Sequence, residues 1–202
     1  LLKDYFFAIV GAAVVALLLR VYVVEAFRIP TDFMAPMLLP GDHIFVNKLA
    51  YGGIFSGTTR APARGDVVIF SFPNFPQKDY IKRVVALEGD TVEIRDSRVV
   101  VGGKPISREM ERDVYEEELA GHRFYVQWKT AAPESRNMPK VTVPPGNVFV
   151  LGDNRAKGQD SRGYGFLPLS SIKGRAALIW FSTGATSEAL GVRWSRLMTR
   201  VN

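Results

Sequence analysis

Two stretches far apart in the chain carry side chains suited to chemistry. Asp79-Tyr80-Ile81-Lys82-Arg83-Val84-Val85 sets a lysine inside an apolar run of β type. Gly152-Asp153-Asn154-Arg155, followed by Asp160-Ser161-Arg162, gathers carboxylates, guanidiniums, an amide and a hydroxyl into one loop. Alternate residues of a strand face one way. If Lys82 faces inward, desolvation disfavours its ammonium form and leaves an amine able to take a proton near neutral pH. If it faces outward beside Arg83, it is an ordinary solvated lysine. Arg–carboxylate pairs are directional and often bidentate, so Asp153 with Arg155 and Asp160 with Arg162 suit a scaffold that holds strands around a cleft. On an exposed loop the same pairs would contribute little.

A third stretch gives these two a context: Ile29-Pro30-Thr31-Asp32-Phe33-Met34-Ala35-Pro36. Together, behind an apolar N-terminal segment, the three resemble the signature boxes of the bacterial type I signal peptidases, membrane-anchored serine endopeptidases with a Ser/Lys dyad. The resemblance runs from the N-terminal segment to the last strand. It implies that Lys82 holds the general-base position and Thr31 the position of a hydroxyl donor in the oxyanion hole. Asp153, Asn154, Arg155, Asp160, Ser161 and Arg162 are then structural support of the site.

The same resemblance exposes four departures. The nucleophilic serine position, two residues after Thr31, holds Phe33, which has no nucleophilic atom and no proton to give Lys82. Asp32 stands where the family carries a small glycine, and Met37 where it carries a threonine. Gly158 stands where a serine helps position the lysine. Clustered around one site, these read as natural loss of the dyad's requirements. The leading expectation is a pseudoenzyme that binds extended segments of secreted proteins, signal peptides included, by adding a strand to a sheet edge.

Two other readings stand beside it. One is an active peptidase using a substitute nucleophile such as Thr31, although two residues of strand displace a side chain by about 7 Å, against a tolerance of about 1 Å for attack. The other is a structural bitopic β domain, against which an inward Lys82 argues, since a buried lysine without a task is destabilising.

The elements that must position these residues are mostly strands. Gly41-Asp42, Gly65-Asp66 and Gly89-Asp90 each open a short apolar run, a turn-then-strand grammar. Val99–Val101 with Gly102-Gly103 reads as a strand and hairpin turn. Val148–Leu151 is an apolar strand that delivers the Gly152 loop, and Ala176–Phe181 is the last clear strand. Residues 105–140 are charged and irregular, and Glu116-Glu117-Glu118 reads as a solvated charge run. Val192–Val201 reads as a short basic amphipathic helix, with Arg193-Trp194 as an interface candidate. The fold expected is mainly β: an N-terminal transmembrane helix, then a signal-peptidase-like antiparallel core with an inserted smaller β domain. The boundaries expected are 1–27 for the anchor, 28–90 plus 148–186 for the core, 91–147 for the insertion and 187–202 for a basic tail.

Tyr5–Leu19 holds no charge, and with Arg20 snorkelling the apolar stretch reaches Val24, long enough to cross a bilayer. A buried core helix and a cleaved signal peptide are the other uses of such a segment; no small-residue cleavage site follows it. The strand pattern is expected to begin after Pro30. Lys3 lies before the span and Arg20 and Arg28 after it, so charge does not orient it. The resemblance implies a body on the trans face of the cytoplasmic membrane, with membrane lipid, secreted-protein segments and an active signal peptidase or secretion machinery as partners.

At 202 residues, 47% hydrophobic and 23% charged, the chain can bury a real core. The net charge of +6 suits anionic headgroups; no basic stripe or motif of a nucleic-acid binder accompanies it. There is no cysteine, and His43 and His122 are too few for a zinc site, so no metal is expected. No phosphate-binding glycine loop occurs, and no cofactor is expected.

Overall fold

A computed structural model describes residues 2–52, 60–72, 75–111, 113–129, 136–157, 159–184 and 191–201. One helix precedes the strands: α1 (Leu2–Tyr22), about 30 Å long at 1.5 Å per residue. Its window Tyr5–Tyr22 is long and apolar enough to cross a membrane by length and composition, and none of that window is buried against the rest of the chain.

The body is mainly β. β1 (Val24–Arg28), β2 (Asp42–Asn47), β3 (Val67–Phe72) and β4 (Phe75–Leu87) come first. Then follow β5 (Thr91–Arg95), β6 (Arg98–Val101), β7 (Lys104–Pro105), β8 (Ser107–Glu111), β9 (Val114–Leu119), β10 (His122–Gln127) and β11 (Met138–Thr142). β12 (Asn147–Leu151), the one-turn helix α2 (Ser161–Tyr164), β13 (Leu167–Pro168), β14 (Ile172–Ser182) and β15 (Thr199–Arg200) complete the chain. Eight strands form one sheet in the order β1-β2-β14-β3-β4-β12-β13, with β15 on β14. β8–β10 form a three-stranded sheet, and β5, β6, β7 and β11 a four-stranded one. All named strand pairs are antiparallel.

The Gly-Asp turns form as the sequence suggests. Gly41 and Gly65 sit at φ +88° and +94°, where a side chain would be strained. At Gly65 the following carboxylate, Asp66, accepts from the Ala63 amide and from the Tyr51 hydroxyl. Two apolar layers hold the site. One packs Val85, Ala86, Phe149 and Leu151 of the large sheet against Val92, Tyr115 and Phe124 of the smaller ones and Trp128 just past β10. The other packs Met34 and Leu38 against Ile44, Val46, Val67 and Ile69, and so anchors the loop that follows β1.

Two expectations about elements are corrected. The β pattern begins at Val24 rather than after Pro30: Glu25-Ala26-Phe27-Arg28 pairs with His43–Val46, partners 15 to 21 residues away that local sequence does not reveal. Val192–Val201 is not an amphipathic helix. It is a single 3-10 turn, Trp194–Arg196, and then β15, because Arg193 and Arg196 turn inward to bond Pro40, Thr183, Met37 and Asp42.

Candidate active site around Lys82 and Phe33

Lys82 points inward. On β4 it pairs across from Val68 and shares a face with Tyr80 and Val84, and it is 3% exposed. Burial pushes its ammonium down to about 8, against the smaller upward pull of Asp160 and Asp153, with Arg162 adding to the fall. Among the described residues no hydrogen bond reaches its Nζ. What it meets is an aromatic face: the centroid of the Phe33 ring lies 4.9 Å from Nζ.

Phe33 is brought there by a tight loop. The Ala35 amide donates to Asp32 O and the Leu38 amide to Met34 O, while Met34 and Leu38 plug into the core beneath. From the other side, the Asn154 amide donates to Phe33 O at 3.0 Å and Asn154 Nδ2 to Asp32 O at 3.2 Å. Lys157 closes the contact with an ion pair to the Asp32 carboxylate at 2.8 Å. Gly152 leaves the room required: a Cβ there would stand 2.7 Å from Phe33 O and 3.8 Å from Lys82 Cδ.

Support comes from the final loop, though not in the pairs its sequence suggests. Asp153 pairs with Arg83 rather than Arg155, both of its oxygens taking guanidinium hydrogens at 2.9 and 2.8 Å. Arg155 reaches instead to Glu117 on β9, again through two bonds, and neither side chain is exposed. That overturns the reading of Glu116–Glu118 as wholly solvated; Glu117 lies on the inward face with Tyr115 and Leu119. Asp160 pairs with Arg162 as expected, caps α2 at the Arg162 amide and accepts from the Gly152 amide. Ser161 Oγ accepts from the Val150 amide.

Thr31 is exposed in a bend, and no hydrogen bond joins it to Lys82. Gly158 lies outside the described residues. No group of three His, Asp or Glu side chains able to hold a metal occurs among the described residues.

Comparison with known proteins now bears on this geometry. Residues 2–181 match the family model described as signal peptidase, peptidase S26. The chain belongs to the signal peptidase S26 family. It is 32% identical over 216 residues to a signal peptidase I of Rickettsia typhi, covering 91% of this chain and 82% of that one. A signal peptidase I of Rickettsia conorii is 33% identical over 204 residues, covering 85% and 77%. A solved signal peptidase I from Enterococcus faecalis is 31% identical, covering 56% of this chain and 95% of its own, with a TM-score of 0.39.

Within this S26 chain one backbone feature adjoins the lysine. β4 pairs with β3 along Phe75–Arg83, whereas β12 covers its other edge only from Arg83 to Leu87. Among the described residues, no strand pairs that second edge before Arg83. An open strand edge therefore ends where Lys82 and Phe33 meet. Sequence reasoning missed this edge, which depends on the register of β12, and missed Glu117, for which the alternation Tyr115, Glu117, Leu119 was a usable signal.

Proposed function

We propose that this signal peptidase homologue does not cleave by a Ser/Lys mechanism and instead holds extended segments of secreted proteins, signal peptides among them. The observation that carries this is the Phe33 ring over Lys82 Nζ. A buried amine with its pKa lowered to about 8 suits a general base, but the group facing it is an aromatic ring with no proton to give. The open edge of β4 offers backbone donors and acceptors to an added strand. α1 is the membrane anchor, and the body lies on the trans side of the cytoplasmic membrane, where such segments emerge.

The test is a cleavage assay on the full chain in detergent with a preprotein carrying an Ala-x-Ala site. The chain itself is expected to be silent. Phe33→Ser, and Phe33→Ser with Gly158→Ser, are expected to cleave, because each restores a hydroxyl at the base. Cleavage by the unaltered chain that disappears in Lys82→Ala would overturn the proposal and point to Thr31.

A further inference from the structure

A groove of about 570 Å³ lies where α1 ends against β1 and β2. Its wall on the helix side is Leu17 and Val21, four residues apart and so on one stripe. Its floor is Val24, Ala26 and Phe45; Ala26 and Phe45 are cross-strand partners, and Val24 is two residues along the same face. The polar rim holds Arg20, Lys48 and Glu25. Lys48 Nζ donates to Val21 O at 2.8 Å, satisfying a carbonyl at the helix end, and lies 3.6 Å from Glu25. Arg20 is exposed and makes no ion pair among the described residues.

We propose that this groove binds an anionic phospholipid, its headgroup phosphate on Arg20 and Lys48 and one acyl chain along Leu17, Val21 and Phe45. The inference rests on the reading of α1 as a membrane span. Three features fit that occupant. Two cations against one carboxylate leave a single positive charge, which one phosphodiester neutralises. Leu17 and Val21 belong to the apolar span while Lys48 belongs to the body, so the groove straddles the level where acyl chains give way to headgroups. An arginine beside an apolar stripe keeps its stem on the stripe and its guanidinium at the headgroups.

The experiment uses the full chain in nanodiscs of equal phosphatidylglycerol and phosphatidylcholine, with retained lipids read by native mass spectrometry. Flotation with pure phosphatidylcholine vesicles is run alongside. The chain is expected to float with those vesicles and to retain phosphatidylglycerol well above its share. Arg20→Gln and Lys48→Gln are each expected to reduce that preference about fivefold without changing flotation. Lys173→Gln, outside the groove and paired with Asp79, is expected to leave it unchanged. Flotation without a phosphatidylglycerol preference would overturn the groove while leaving the anchor standing. An equal loss in Lys173→Gln would also overturn it, by making the attraction diffuse. Failure to float would overturn the span, and the groove with it.

Discussion

Arg155 and Glu117 face each other through two hydrogen bonds, at 2.9 and 2.5 Å, with neither side chain exposed. The pair ties the loop that backs Lys82 to β9, across the boundary between the large sheet and a small one. Arg155 also donates to Gly152 O at 2.8 Å, so the guanidinium sets the course of the backbone that touches Phe33. Because the ions lie in a dry interior, removing one leaves the other uncompensated.

Glu117→Gln is therefore expected to destabilise the protein by about 3–5 kcal/mol, read as a lower denaturant midpoint. Combining it with Arg155→Met removes the stranded charge, and the double variant is expected to be more stable than Glu117→Gln alone. A double variant at or below the single would show that the pair is not the unit described.

Gly152→Ala tests the close approach of the loops. The added Cβ would stand 2.7 Å from Phe33 O, a backbone atom held by the Asn154 amide. Relief requires the 31–37 loop or the 152–154 loop to move, at a cost of about 1–3 kcal/mol. The expected outcome is a lower melting temperature and faster proteolysis within residues 30–40. Unchanged values for both would mean that the contact yields freely.

Much of this was legible in the sequence because it is local. The Gly-Asp turns at Gly41 and Gly65 follow from turn chemistry and the strand at Val148–Leu151 from its unbroken apolar run, whereas alternation alone left open which side Lys82 faces. What was not legible is long-range pairing. Arg155 has Asp153 two residues away, yet its partner lies 38 residues off. Arg196, read as the charged face of a helix, bonds Asp42 from 154 residues away. Charge type shows that an arginine wants a carboxylate; only the packing of strands decides which one. Phe33 stood out in the sequence, but that its ring covers Lys82 depends on the loop's anchor in the core.

Asp42 gives a prediction with a pH signature. Burial pushes its carboxyl up, but hydrogen bonds from Arg196, the Leu39 amide and Ser182, with the Arg196 charge, outweigh that and hold it below the usual range. A depressed carboxylate stabilises the fold above its unfolded pKa, and that contribution is lost as pH falls through the folded value. Arg196→Gln is expected to cost about 1–3 kcal/mol near pH 7. The gap to the unaltered chain is expected to shrink below about pH 4, as Asp42 protonates. A gap independent of pH would assign the loss to the apolar contacts of the arginine stem.

Lys82 is also held below its ordinary value, but here the fold penalises the charged form instead of favouring it. Its folded value is about 8, against 10.5 for an unhindered lysine. Below pH 8 both states are charged, so the penalty of burying the ammonium is fully present. Between pH 8 and 10.5 the folded lysine is neutral while the unfolded one still holds its proton, and stability rises with pH. Lys82→Met removes that penalty at every pH. The stability advantage of the variant over the unaltered chain is therefore expected to be greatest at pH 7 and to narrow by about 3 kcal/mol as pH rises past 10. Urea titrations of both proteins across that range measure it. A constant difference would mean that Lys82 keeps an ordinary pKa beneath the Phe33 ring, and that the amine is not poised as a base.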